Sequence, residues 1–163
     1  MTFEEIIEHL QAQFPTEKFE IIADAKQPYI ILQADALVGV CSFLHTDPKL
    51  YFDHLACITG VDNDVEAGTI DVIYHFTSIA LGHTFIIKLV VSRVLEKNPT
   101  VPTLTTIWKG ADWHERELFD FYGVKFSDHP DLRRILLPAN WEGHPMRKDY
   151  TEQEYYHGIK VKY

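Results

Sequence analysis

The densest run of reactive side chains is Asp112-Trp113-His114-Glu115-Arg116-Glu117-Leu118-Phe119-Asp120, with four carboxylates, a histidine and an arginine in nine residues. Such a run first suggests acid–base or metal-assisted chemistry. His114-Glu115 opens the HExxH pattern of zinc proteases, but Leu118 stands where the second histidine must be. Glu115 and Glu117 project from different faces of a helix, so they cannot flank one reacting atom. His114, His129, His144 and His157 are spaced by 15, 15 and 13 residues, which fits no metal-ligand rule. The only cysteines, Cys41 and Cys57, make no CxxC pair, and two ligands cannot hold an iron–sulfur cluster alone. Glycine-rich phosphate loops and nucleophile elbows are missing from the sequence. A free-standing hydrolase would have to be built on His114, Glu117 and Asp120 with a metal.

The element that carries this run reads as a helix from about Asp112 to Tyr122, ended by Gly123. On a helical wheel Trp113, Arg116, Glu117 and Asp120 share one side, and Leu118, Phe119 and Tyr122 form the apolar face. Arg116 and Asp120 are four apart and can pair along the helix. Glu115 lies among the apolar residues, and a buried carboxylate needs a partner. Two partners are open to it: Arg133 and Arg134, across the loop that contains His129, or a capping box with Asp112.

The rest of the chain reads as a frame for that helix. A first helix spans residues 2–14, with Thr2 and Glu5 as a capping box and Phe3, Ile6, Ile7, Leu10 and Phe14 at helical spacing. Phe19–Ala25 and Tyr29–Leu32 read as a hairpin. Asp35 is placed to cap a second helix through about His45. Pro48 is placed to start a third through about Ile58, with Gly60 as its terminating glycine. Thr69–Ser78 and His83–Arg93 give the clearest β pattern; Asp71 and Lys88 make one face of it partly wet. Pro99 and Pro102 mark a change of texture, followed by a short helical turn around Thr105–Lys109. The expected fold is α+β: a four-stranded, largely antiparallel sheet packed with helices, plus an extended C-terminal arm with little regular structure. Residues 1–125 form the domain and 126–163 the arm, where prolines at 130, 138 and 145 break any long element.

Composition agrees with a globular chain: 46% hydrophobic, 13% aromatic and 24% charged residues over 163 positions. The net charge of −9 resides entirely in residues 1–67, with 12 acids and 3 lysines; the remainder balances 12 acids with 12 bases. An acidic body repels nucleic acid. The sequence opens without a basic and apolar leader pattern, and its apolar runs are strand-sized, below the ~20 residues of a membrane helix. All five arginines and all three tryptophans lie in the second part. These types are favoured as interface anchors. The arm combines Ile135, Leu136 and Trp141 with Arg133, Arg134, Arg147 and Lys148, a mixture suited to lying in a partner's groove or strapping its own domain.

Glu115-Arg116-Glu117-x-x-Asp120-Phe121-Tyr122, then His129, Arg133 and Ile135-Leu136, resembles the signature of the C subunit, or 30-kDa subunit family, of the proton-pumping NADH:quinone oxidoreductase, respiratory complex I. Trp108-x-Gly110-Ala-Asp-Trp113, Trp141-Glu-Gly-His-Pro-Met-Arg147-Lys148-Asp149-Tyr150 and Leu55-Ala-Cys-Ile-Thr-Gly60-Val-Asp62 share the resemblance, which covers about residues 36–150. It implies a structural hydrophilic subunit on the cytoplasmic side of the cell membrane. Such a chain packs against the large D subunit and the iron–sulfur subunits in the quinone-reducing module of the peripheral arm. Catalysis then belongs to the assembly, and flavin, clusters and quinone are bound by partners. On this basis Glu115, Arg116, Glu117, Asp120, His129, Arg133 and Arg134 should hold the arm's root to the helix. Residues 135–150, with Ile135, Leu136, Trp141, Arg147, Lys148, Asp149 and Tyr150, should dock on the partner. An equivalent subunit of a membrane-bound hydrogenase or of an F420H2 or ferredoxin dehydrogenase is the alternative within the same architecture.

Overall fold

Helix α1 (Phe3–Gln13) begins where the sequence places it: Thr2 Oγ1 accepts from the Glu5 amide and the Glu5 carboxylate accepts from the Thr2 amide. Its buried stripe is Ile6, Ile7 and Leu10. In the computed structural model the described residues are 1–94 and 100–161; Pro99 lies outside them. Strands β1 (Glu20–Ile22) and β2 (Tyr29–Ile31) form the expected antiparallel hairpin, shorter than its apolar runs. A single 3-10 turn at Ala34–Ala36 precedes α2 (Leu37–Thr46). Asp35 therefore does not cap α2; it lies inside that turn, where its carboxylate accepts from the Ala36 amide.

The expected third helix is not formed. Asp47 closes a tight turn by accepting from the Lys49 and Leu50 amides, and the chain then enters strand β3 (His54–Asp62). The reason is a β-bulge between Leu55 and Cys57. It puts Leu55 and Ile58, three apart, on the same buried face, which reproduces helical spacing inside a strand. Gly60 belongs to β3, and a Cβ there would stand 2.7 Å from the Tyr122 ring, so only glycine lets that ring lie on the strand.

After the one-turn helix α3 (Asp64–Ala67), β4 (Thr69–Ser78) and β5 (His83–Ser92) pair along their whole length. The sheet thus has five strands, not four, in the order β1-β2-β5-β4-β3. Three pairings are antiparallel and β2–β5 is parallel. Strict alternation puts Ile70, Val72, Tyr74 and Phe76 of β4, with Phe85, Ile87, Leu89 and Val91 of β5, in the core. The opposite face is partly wet, and there Lys88 Nζ pairs with Asp71 at 3.1 Å. Strand β6 (Val101–Pro102) pairs in parallel with β7 (Phe126–Ser127). Between them, residues 104–108 make a hydrogen-bonded turn rather than a helix: the Ile107 and Trp108 amides both donate to the Leu104 carbonyl. Helix α4 (Ala111–Tyr122) follows and ends at Gly123, whose φ of 77° suits glycine. Residues 128–154 are irregular, and a small hairpin, β8 (Tyr155–Tyr156) and β9 (Ile159–Lys160), comes last.

Candidate functional site

Helix α4 packs on β3, and the irregular segment folds back over it as a strap held by polar contacts. Asp120 is the centre of the first lock. It is fully buried, although the wheel places it beside the exposed Trp113, because the strap covers that flank. Its Oδ1 accepts from Arg134 Nη1 at 2.6 Å. Its Oδ2 accepts three successive strap amides: Ile135 at 3.2 Å, Leu136 at 2.9 Å and Leu137 at 2.8 Å. Burial pushes this carboxyl up, but the Leu137 amide, the Arg134 guanidinium and the other two amides outweigh it and hold it below the usual carboxylate range. Asp120 thus pairs with Arg134 and not with Arg116.

The strap also completes the end of α4. A helix leaves its last four carbonyls without partners. Here Phe119 is capped by the Gly123 amide, and the Asp120 carbonyl accepts from Arg134 Nη1 and His144 Nδ1. The Phe121 carbonyl accepts from the Met146 amide, and Tyr122 from Arg147 Nη1. The last turn of α4 carries no basic residue of its own, so the strap supplies the positive charge that the helix dipole favours there.

A second lock lies where β3 and β5 end. Arg93 is buried and donates to both oxygens of Asp62, at 2.7 and 3.0 Å, and to both oxygens of Asp149, at 2.6 and 3.0 Å. The Lys148 amide donates to Asp62 at 2.8 Å, and Arg147 Nη2 donates to the Arg93 carbonyl. The Arg93 guanidinium holds the Asp62 carboxyl down to about 2. Two strands and the strap therefore meet at one guanidinium.

Of the residues singled out in sequence, Arg116, Asp120, His129 and Arg134 do tie the strap's root to the helix. Arg116 donates to the carbonyls of Arg133 and Arg134, and His129 Nε2 lies 3.2 Å from the Asp112 carbonyl. Glu115 is turned inward, to the Leu104 amide and the Thr103 hydroxyl; neither Arg133, Arg134 nor a capping box serves it. The Arg133 side chain is largely exposed and pairs with Asp131 at 2.8 Å. Glu117 is half-buried, with no ion pair among the described residues. Leu136 is exposed, while Ile135, Trp141 and Tyr150 are half-buried; the Tyr150 ring lies against Gly143. Arg93 and Asp62 were not singled out as anchors. The available signal was an arginine ending an apolar strand and an aspartate ending the strand that resembles the family. Among the described residues no group of three or more His, Cys, Asp or Glu is placed to hold a metal ion. Within the run 112–120, Arg116 and Asp120 are the side chains engaged in holding the strap.

An α+β domain with a strap locked across its last helix defines the class. Residues 30–156 match the family described as "Respiratory-chain NADH dehydrogenase, 30 Kd subunit". The NADH-quinone oxidoreductase C subunit of Chloroherpeton thalassium is 43% identical over 136 residues, 83% of this chain and 55% of that protein. The corresponding C subunit of Chlorobium phaeobacteroides is 44% identical over 82% of this chain and 78% of its own length. The chain thus spans little more than half of the first relative. A chain from the membrane-bound sulfane sulfur reductase, an archaeal respiratory membrane complex, superposes with a TM-score of 0.75 at 25% identity, covering 91% of this chain and 85% of its own. The chain belongs to the 30 Kd subunit family of the respiratory-chain NADH dehydrogenase.

Proposed function

We propose that this chain is a structural hydrophilic subunit of an NADH:quinone oxidoreductase. It packs against the large D subunit and the iron–sulfur subunits in the quinone-reducing module of the peripheral arm, on the cytoplasmic side of the membrane. Electron transfer from NADH to quinone and proton translocation belong to the assembly. Flavin, clusters and quinone are held by the partners, and this chain supplies shape. The observation that supports this most is how the motif is used: Asp120, Arg134, His144 and Arg147 are consumed in fixing the strap on α4. A rigid strap presents one surface to a partner without a large ordering cost on binding. Among the described residues no helix is long and apolar enough to cross a membrane. The sulfane sulfur reductase chain shows that a similar fold occurs in another respiratory complex, but the higher identity to the NADH-quinone oxidoreductase relatives favours NADH as the donor.

Affinity purification of the tagged chain from its native membranes tests this. Co-purification of the D subunit, the iron–sulfur subunits and NADH:quinone activity is expected. A chain recovered alone, or with flavin or iron bound to it after separation, would contradict the proposal.

A further inference from the structure

Of the buried carboxylates among the described residues, Asp62 and Asp120 hold the strap and Glu115 does not. Glu115 is fully buried on α4; its Oε1 accepts from the Leu104 amide at 2.7 Å and its Oε2 lies 2.6 Å from Thr103 Oγ1. Thr103 Oγ1 also lies 3.0 Å from Thr105 Oγ1 and accepts the Thr105 amide at 3.2 Å. A hydroxyl has a single proton to donate, yet Thr103 faces two oxygens that can take it. With Glu115 ionised, that proton goes to Oε2. With Glu115 neutral, the carboxyl O–H donates to Thr103, whose own proton turns to Thr105. Both hydrogen-bond patterns use the same three oxygens, Glu115 Oε2, Thr103 Oγ1 and Thr105 Oγ1.

The surroundings favour the bound proton. Asp112 on the same helix adds negative charge. From the strap's root, His129 Nε2 is 3.9 Å from Oε2, but that nitrogen donates to the Asp112 carbonyl while Nδ1 accepts the Asp131 amide. In that arrangement Nε2 carries a hydrogen toward the Asp112 carbonyl and Nδ1 presents its lone pair to the Asp131 amide, so neither is spent on Glu115. From β4, the Tyr74 hydroxyl is buried with no hydrogen-bond partner among the described residues, and Cys41 of α2, also buried, stays a neutral thiol. Among the described residues no lysine or arginine forms an ion pair with Glu115. Burial pushes its carboxyl up to about 7, against the Leu104 amide and the Thr103 hydroxyl, which favour the charged form.

The same atoms sit at the entry to the strap. The Thr103 amide donates to the Ser127 carbonyl at 3.1 Å, extending the β6–β7 pairing, and His129 follows two residues on. We propose that Glu115, Thr103 and Thr105 form a proton-binding site that couples proton occupancy to the hold on the strap's root. Loss of the proton leaves a buried, unpaired charge, and opening β6–β7 to water relieves it.

The full chain labelled with 13C at the glutamate carboxyls decides this by NMR titration, with E115Q to assign the signal. Hydrogen exchange at the amides of residues 126–129 and 131 is followed over about pH 4.5 to 8.5 in parallel, the rise being expected below about pH 7. One glutamate titrating near neutrality is expected, with exchange rising faster than the intrinsic rate in the wild type and tracking it in E115Q. T103V, which removes a donor to the charged form, should move the midpoint further up. Should E115Q not fold, the wild-type titration and the T103V shift decide alone. Glutamates that all titrate in the ordinary carboxyl range, or exchange that follows the intrinsic rate throughout, would overturn the proposal.

Discussion

At the scale of single residues, the acids of α4 differ in what their burial costs and what offsets it. Asp120 is buried but saturated by one guanidinium and three amides, so it stays charged. Removing its carboxylate takes away the counter-charge of Arg134, which keeps only the Asp120 and Gly143 carbonyls, and breaking a buried pair typically costs ~3–5 kcal/mol. D120A should therefore lower the unfolding free energy by an amount of that order and raise hydrogen exchange at residues 135–137, whereas an unchanged free energy would mean that the lock is idle. Tyr74 is the converse case, because its buried hydroxyl has no partner among the described residues. Y74F should be neutral or stabilising by about 1 kcal/mol, read from the same unfolding curve. The sequence made Glu115 and Asp120 visible as residues but misplaced their partners. A helical wheel knows only its own helix; the amides that receive Asp120 arrive from fifteen to seventeen residues away.

At the scale of elements, α1, α4 and the β4–β5 pair were legible, because each has one unbroken period and a stop signal. Strand β3 was not, since its bulge sets two apolar residues three apart. Gly60 marks where β3 and α4 meet. G60A should cost ~1–3 kcal/mol by overpacking against Tyr122, and Y122A should recover much of that cost in the double variant. A double variant no better than the sum of the singles would place the strain elsewhere. The junction of β3, β5 and the strap also sets an acid limit. Asp62 is held to about 2 in the fold, below its ordinary value, so the stability it adds is present above that ordinary value and lost as pH falls toward 2. Glu115 acts in the opposite sense: raised to about 7, it contributes stability that is fully present below its ordinary value and is lost as pH rises from there to about 7. Thermal midpoints should therefore peak at about pH 4 to 4.5, fall toward pH 2 on one side and fall toward pH 7 on the other. A midpoint that climbs steadily into the alkaline range would contradict the assignment at Glu115.

At the scale of the molecule, the charge of −9 and the strap's composition gave the class of chain, and the spaced motif gave its family. What no pattern in the sequence conveyed is that the strap's arginines turn inward. Arg134 and Arg147 close the helix end, and Arg93 gathers both strands and strap, while Arg133 is left largely exposed. Long-range pairing of irregular chain has no period to read. If the chain's role is to hold a shape for its partners, weakening a lock should reduce how much complex is built and leave the chemistry of each completed complex alone. The most direct measurement is the content of assembled complex in membranes carrying D120A, together with NADH:quinone turnover per assembled complex. Less complex with unchanged turnover per complex is expected. A full complement of intact complex whose turnover has fallen would contradict it and would return these carboxylates to the chemistry itself.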